Sequence, residues 1–234
     1  RLEHIALIRM QYGYIEFGWP WSFRLARLLF ARSWTGNERP SILFDLATSW
    51  LIQHKVLLPG HTTLMRLISE VRDRSVNRLW RLLSKLPTVD QVTKLETLVH
   101  VSDGSRTSLL DQFRKGPVTI SSLSLNQAIE RYQKLKDFGM KGLNFSGIPP
   151  IQLKNIARYA SMLSVYKIAR MSIQKRTAIL VAFVRSYEIM ALDDALDVLD
   201  WLIADISSSA KRLGEQKRIR TLKDLDKSAL NLAE

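Results

Sequence analysis

Cysteine is absent from the 234-residue sequence, which excludes disulfides, cysteine-ligated zinc, iron–sulfur clusters and thiol nucleophiles. Histidine is scarce: the four, at positions 4, 54, 61 and 100, stand in unrelated contexts without metal-ligand spacing. No catalytic triad can be assembled, and no glycine-rich phosphate loop of the P-loop or dinucleotide type occurs. There is no run of eighteen or more apolar residues, and the start has no charged segment followed by a short apolar block and a cleavage site. A soluble intracellular protein is therefore expected. The sequence opens at Arg1 inside a helical pattern and stops at Glu234 without a capping signal, so it is expected to be a piece of something longer.

What the chain has in quantity is apolar material, at 46%, and positive charge, at a formal +13. The first leaves ample residues for a buried core and argues against disorder. The second is unevenly spread: residues 1–120 carry +7, residues 121–190 carry +8 and residues 191–234 carry −2. Such a field concentrates polyanions around the molecule, and phosphate neutralisation is the commonest use of a diffuse positive surface. Solubility alone is the alternative.

Helical periodicity dominates and no alternating stretch is long enough for a strand, so the predicted class is all-α. The expected form is a multi-helix array with helix-turn-helix-like DNA-binding modules followed by a helical bundle region. Leu64, Leu67, Ile68, Val71, Leu79, Leu82, Leu83 and Leu86 recur at spacings of three and four, with one gap at Ser75. Pro20 and Pro40 sit where helix N-termini tolerate a missing amide donor, ahead of helices over 23–34 and 42–54. Further helices are expected at 88–100, 106–115, 122–138, 150–161, 164–190 with a break near Ser172, and 192–212. Breaks fall at 35–40, 56–60, 101–106, 116–121 and 139–150, each rich in Gly, Pro, Ser or Asn. They suggest three regions: 1–100, with a helix-turn-helix-like unit near 41–86, then 101–145 and 146–234.

Two stretches have the make-up of a DNA-reading element. In residues 46–72 one helix ends near Lys55, a turn carries Pro59 and Gly60, and Thr62 or Thr63 can cap the next helix. At 100° per residue Thr62, Thr63, Arg66 and Glu70 oppose Leu64, Ile68 and Val71. Small hydroxyls, His61 and Arg66 at a helix start suit contacts with base edges, while Arg72, Arg74, Arg78 and Arg81 suit phosphates. Residues 105–139 repeat the arrangement: a helix ending at Arg114 and Lys115, a turn at Gly116–Pro117, and a helix capped by Ser121 or Ser122. Asn126, Gln127, Arg131 and Lys134 lie on its polar side, and Asn and Gln can pair with adenine. Lys154, Arg158, Lys167, Arg170, Lys175 and Arg176 extend the basic series. An ordinary solvated face is the competing reading for each group.

Trp19, Trp21, Trp34, Trp50 and Trp80 sit mostly among Leu, Phe and Ile at helical spacing, so core packing is expected rather than a stacking platform for bases. Asp193, Asp194, Asp197 and Asp200 line one helical face opposite Leu192, Leu196, Leu199 and Ile203. The nearest histidine is His100, so a solvated or partner-facing acidic surface is expected rather than a metal site.

Four blocks in register, residues 8–17, 43–72, 102–122 and 176–206, resemble the N-terminal part of Tn-three-family replicative transposases. KVLLPGHTTL (Lys55–Leu64) is the most specific of them. The resemblance implies sequence-specific binding of double-stranded DNA at transposon terminal inverted repeats. It also implies homodimerisation of the whole protein through the helical region after about residue 150, and a bacterial, cytoplasmic, nucleoid-associated location. The family's catalytic centre is a metal-dependent Asp-Asp-Glu site on an RNase H-like domain, and no residue here matches it, so this chain is not expected to be an enzyme by itself. No cofactor, membrane or small-molecule substrate is called for. A helical interaction scaffold without direct DNA reading is the alternative.

Overall fold

The computed structural model describes residues 2–36, 38–100, 107–115 and 123–231. Among them the fold is all-α, the one β feature being an isolated parallel bridge between Ile15 and Val56. The helices are α1 (Leu2–Tyr12), α2 (Trp19–Gly36), α3 (Pro40–Gln53), α4 (His61–Ser84), α5 (Val89–Glu96), α6 (Leu109–Arg114), α7 (Leu125–Lys136), α8 (Pro150–Met162), α9 (Val165–Ala169) and α10 (Ile173–Asn231). Short 3₁₀ turns at Thr97–Val99 and Met140–Gly142 complete the order. No helix among the described residues is long and apolar enough to cross a membrane. Two compact units form, one of Arg1–Arg114 with Phe138–Tyr187 and the other of Lys115–Asp137 with Glu188–Glu234.

In the first unit α2, α3 and α4 pack on one another around Leu25, Leu29, Leu43, Ala47, Leu51, Val56, Leu64, Ile68 and Val71. Each helix contributes one stripe, at spacings of four in α2 and α3 and of four and three in α4, the pattern that buries a single face. Ser75, the gap in the apolar series of α4, lies in that stripe and is itself buried. The start of α10 is different: Thr177–Val184 is buried at every position, because a helix apolar all round has no face to give to water.

The link from α3 to α4 is fixed by its backbone. Lys55 adopts φ +52°, its amide donates to the Ile52 carbonyl (3.0 Å), and the Val56 amide donates to the Leu51 carbonyl (2.9 Å). This is a Schellman closure with lysine where glycine is usual, and the buried pair Val56 and Leu51 supplies its apolar contact. The bridge to Ile15 follows at once, through Ile15 N–H to the Lys55 carbonyl and Leu57 N–H to the Ile15 carbonyl (both 2.8 Å).

Several expectations are corrected. The helix starts do not use the predicted caps. Gly60 precedes α4 and no side chain caps it, so Thr62 and Thr63 stand inside the first turn. α7 is capped by Ser124, whose hydroxyl accepts from the Gln127 amide (3.3 Å) while the Gln127 side-chain oxygen accepts from the Ser124 amide (3.1 Å). Ser-x-x-Gln is a reciprocal capping box, and Ser124 is the serine with Gln three residues on. Ser121 and Ser122 lie outside the described residues. The expected separation at 190–192 does not exist: nothing between Glu188 and Asp193 breaks a helix, Ala191 is buried, and α10 runs through. The break near Ser172, between α9 and α10, is present. Trp21, Trp34, Trp50 and Trp80 are partly buried, but Trp19 is 77% exposed and belongs to no core.

Candidate nucleic-acid interface

α4 is about 36 Å long at 1.5 Å per residue, and the face opposite its buried stripe is basic. His61, Thr62, Thr63, Arg66, Arg74, Arg78 and Arg81 are exposed and Arg72 is half-buried. Two carboxylates, Glu70 and Asp73, stand among five arginines. Glu70 lies one turn from Arg66 on one side and from Arg74 on the other, at 4.0 and 3.8 Å, with both arginine side chains more than 70% exposed. Pairs that long and that wet stabilise by well under 1 kcal/mol, so neither arginine is held away from a phosphate. Among the described residues no ion pair engages Arg72 or Arg81. The His61 ring lies 5.0 Å from that of Phe44 on α3, which fixes its position at the head of the helix.

The start of this face is not an isolated surface. Thr63, Arg66, Leu67 and Glu70 line a cleft of about 370 Å³ whose other wall is Phe17, Gly18, Trp19 and Ser22. Further along, Arg78 stacks over Trp34 at 4.9 Å and over Phe30 at 5.7 Å. Aromatic residues of α2 therefore run beside the arginines of α4. Helical spacing points Trp19 and Trp34 to the core, and the side of α2 they occupy is visible only with its neighbours in place.

The remaining candidates divide into groups with internal work and groups open to solvent. Arg114 is 14% exposed, bonds Asp111 at 2.8 Å and donates to the Ala160 carbonyl at 2.6 Å. Arg176, at 19%, pairs with Glu96 at 2.8 Å and donates to the Ala169 carbonyl at 2.7 Å. Within the second unit Arg131, at 15%, pairs with Asp194 at 3.0 Å, so one residue of the acidic face is matched by a cation. These three arginines tie elements together. Lys175 leans over the rings of Trp80 (5.6 Å) and Tyr159 (5.9 Å). Gln127 serves the α7 cap, while Asn126 and Lys115 are exposed. Lys134 pairs with Glu130 at 2.7 Å, and its hydrogen bond and charge hold the Glu130 carboxyl below the usual carboxylate range. No group of three or more His, Asp or Glu able to hold a metal ion occurs among the described residues.

Fold and surface together define an all-α, strongly basic module in which one helix, α4, carries four exposed arginines. Residues 1–71 match a domain of unknown function, DUF4158. The chain is 57% identical, over 99% of its length and 23% of the relative's, to the transposase for transposon gamma-delta of Escherichia coli. It is 34% identical, over 57% of its length and 15% of the relative's, to the transposase for transposon Tn4556 of Streptomyces fradiae. A third relative, the transposase for transposon Tn1546 of Enterococcus faecium, is 22% identical over 98% of the chain and 23% of its own length. The chain belongs to the Tn-three transposase family and spans about a quarter or less of the length of these curated relatives.

Proposed function

We propose that this chain recognises double-stranded DNA at the terminal inverted repeats of a transposon, as the end-binding part of a transposase whose strand-cutting chemistry resides in the rest of the protein. The observation that carries the reading is the α4 face: two exposed threonines and His61 at its head, followed by four exposed arginines against two carboxylates over a 24-residue helix. A helix of that kind offers short polar side chains to base edges and long cations to the flanking phosphates. Arg66 stands nearest the threonines and is the side chain best placed to do both. Replacing Arg66 with Ala is expected to weaken binding to terminal-repeat duplex by roughly 1–3 kcal/mol more than binding to a scrambled duplex, as judged by fluorescence anisotropy. Equal loss on both would reduce Arg66 to a phosphate contact, and no duplex binding at low salt by the unaltered chain would end the proposal.

Self-association is a second reading, favoured by α10. Leu192, Leu196, Leu199, Ile203, Ile206, Ala210 and Leu213 follow each other at alternating spacings of four and three, the heptad seam of a coiled coil. The leucines and isoleucines of that seam are 38–65% exposed. Five aspartates lie between 193 and 205, and seven lysines or arginines between 211 and 227. Two copies paired antiparallel would set each acidic stretch against the partner's basic one. Light scattering on the chain is expected to give a dimer mass, and Leu199→Glu with Ile203→Glu a monomer. A monomeric unaltered chain at tens of micromolar would leave the seam to another segment.

A further inference from the structure

α2 presents Trp19, Phe23, Phe30 and Trp34 at spacings of four, seven and four, which places them on one stripe. They form two stacked pairs, Trp19 with Phe23 (5.8 Å, 16°) and Phe30 with Trp34 (6.1 Å, 10°). The two pairs are treated differently by the rest of the unit. Arg78 lies across the second pair, whose rings are partly buried. The first pair is open, with Trp19 77% and Phe23 51% exposed. The other tryptophans of the first unit all have a cation or an imidazole beside the ring: Arg24 at Trp21 (5.1 Å), Arg78 at Trp34, Lys175 at Trp80 and the His54 ring at Trp50 (4.3 Å). Among the described residues, no such group lies over Trp19.

The surroundings of the open pair are cationic. Trp19 walls the cleft that contains Thr63 and Arg66, and Phe23 walls a second cleft, also about 370 Å³, that contains Arg27 and Arg74. Glu70 is the single carboxylate lining either cleft, and its long contacts to Arg66 and Arg74 leave both forks able to turn toward a shorter, charge-assisted bond. The volumes fall in the range of small-ligand sites.

We propose that the Trp19–Phe23 pair, whose two rings wall these two clefts, binds an unpaired nucleotide of a DNA strand, its base stacked on the aromatic pair and its phosphate held by Arg66 with Arg27 or Arg74. A base inside a duplex cannot occupy the site, because both its faces are covered by neighbours in the stack. An unpaired base has a bare face, and stacking on an aromatic side chain tolerates any sequence. An apolar peptide would match the rings and leave three arginines unmatched; an acidic peptide would match the arginines and leave the rings in water. A nucleotide supplies both halves. The inference extends the proposal that this chain binds DNA, and assigns to α2 the part of a substrate that α4 cannot read.

The test compares three probes of one sequence: a blunt duplex, the same duplex with a four-nucleotide single-stranded tail, and the single strand alone. A 2-aminopurine in the tail reports stacking. The full chain is expected to bind the tailed duplex about tenfold more tightly than the blunt one and to quench the 2-aminopurine emission. Trp19→Ala is expected to abolish both the preference and the quenching while leaving blunt-duplex affinity within about twofold, and Trp19→Phe to restore most of each. The side chain is exposed, so truncating it leaves no cavity, and circular dichroism checks the fold. Equal affinity of the unaltered chain for tailed and blunt duplex overturns the proposal, as does quenching that survives Trp19→Ala. A Trp19→Ala chain unchanged on every probe overturns it too. Binding of single strand without binding of blunt duplex would uphold this site and sink the duplex reading; the reverse pattern would do the opposite.

Discussion

Raising the salt from 50 to 200 mM should weaken binding of this chain to terminal-repeat duplex by roughly 10³–10⁵, if six to ten phosphates are neutralised. The source of the effect is the arginine set Arg66, Arg72, Arg74, Arg78 and Arg81 on α4, joined by Arg24 and Arg27 of α2, each of which displaces a condensed counterion when it meets a phosphate. Exposure decides which cations count. Arg114, Arg131 and Arg176 are each under 20% exposed and engaged by carboxylates, so their replacement should leave the slope of log affinity against log salt unchanged. Replacing Arg74 or Arg81 should lower that slope by about one. The measurement is anisotropy of a labelled duplex across a salt series. A slope near zero would show that the positive surface serves solubility and would remove the electrostatic basis of the proposal.

Phe183→Ala should cost about 3–5 kcal/mol of stability. The ring is fully buried within the stretch Thr177–Val184 and stacks on Tyr187 at 4.1 Å, so its removal loses both transfer energy and contacts that a close-packed interior cannot rebuild. Against a typical total of about 5–15 kcal/mol this is roughly a fifth or more of what a domain possesses. Urea unfolding followed by tryptophan fluorescence reports on the first unit in particular, since Trp19, Trp21, Trp34, Trp50 and Trp80 all lie there. A loss below 1 kcal/mol would show that the segment is less tightly enclosed than its burial indicates. Exposed Trp19→Ala gives the contrast, because little stability should change with it.

Much of this was written in side-chain spacing. The α4 stripe was legible because an apolar residue every third or fourth position has one energetic use in water, the burial of one face. The polar face opposite was legible for the same reason, and Thr62, Thr63, Arg66 and Glu70 stand on it as the 100° step requires. The capping box at Ser124 and Gln127 was equally local, yet the neighbouring serines at 121 and 122 obscured which hydroxyl has glutamine three residues beyond it. Arg131 and Arg176 illustrate what spacing cannot give. Both belong to a basic series along the chain, and both are neutralised by carboxylates far away in sequence, Asp194 and Glu96.

The sequence alone determined the all-helical class, the position of most helices and the excess of cations, since each depends on residues within a few turns of one another. Tertiary structure alone decided that residues 1–114 join 138–187 in one compact unit, that Trp19 faces water while the other tryptophans of that unit are partly buried, and which arginines are spent on internal pairs. Those outcomes depend on which surfaces meet after the chain has folded back on itself, and periodicity along a helix has no knowledge of its neighbours.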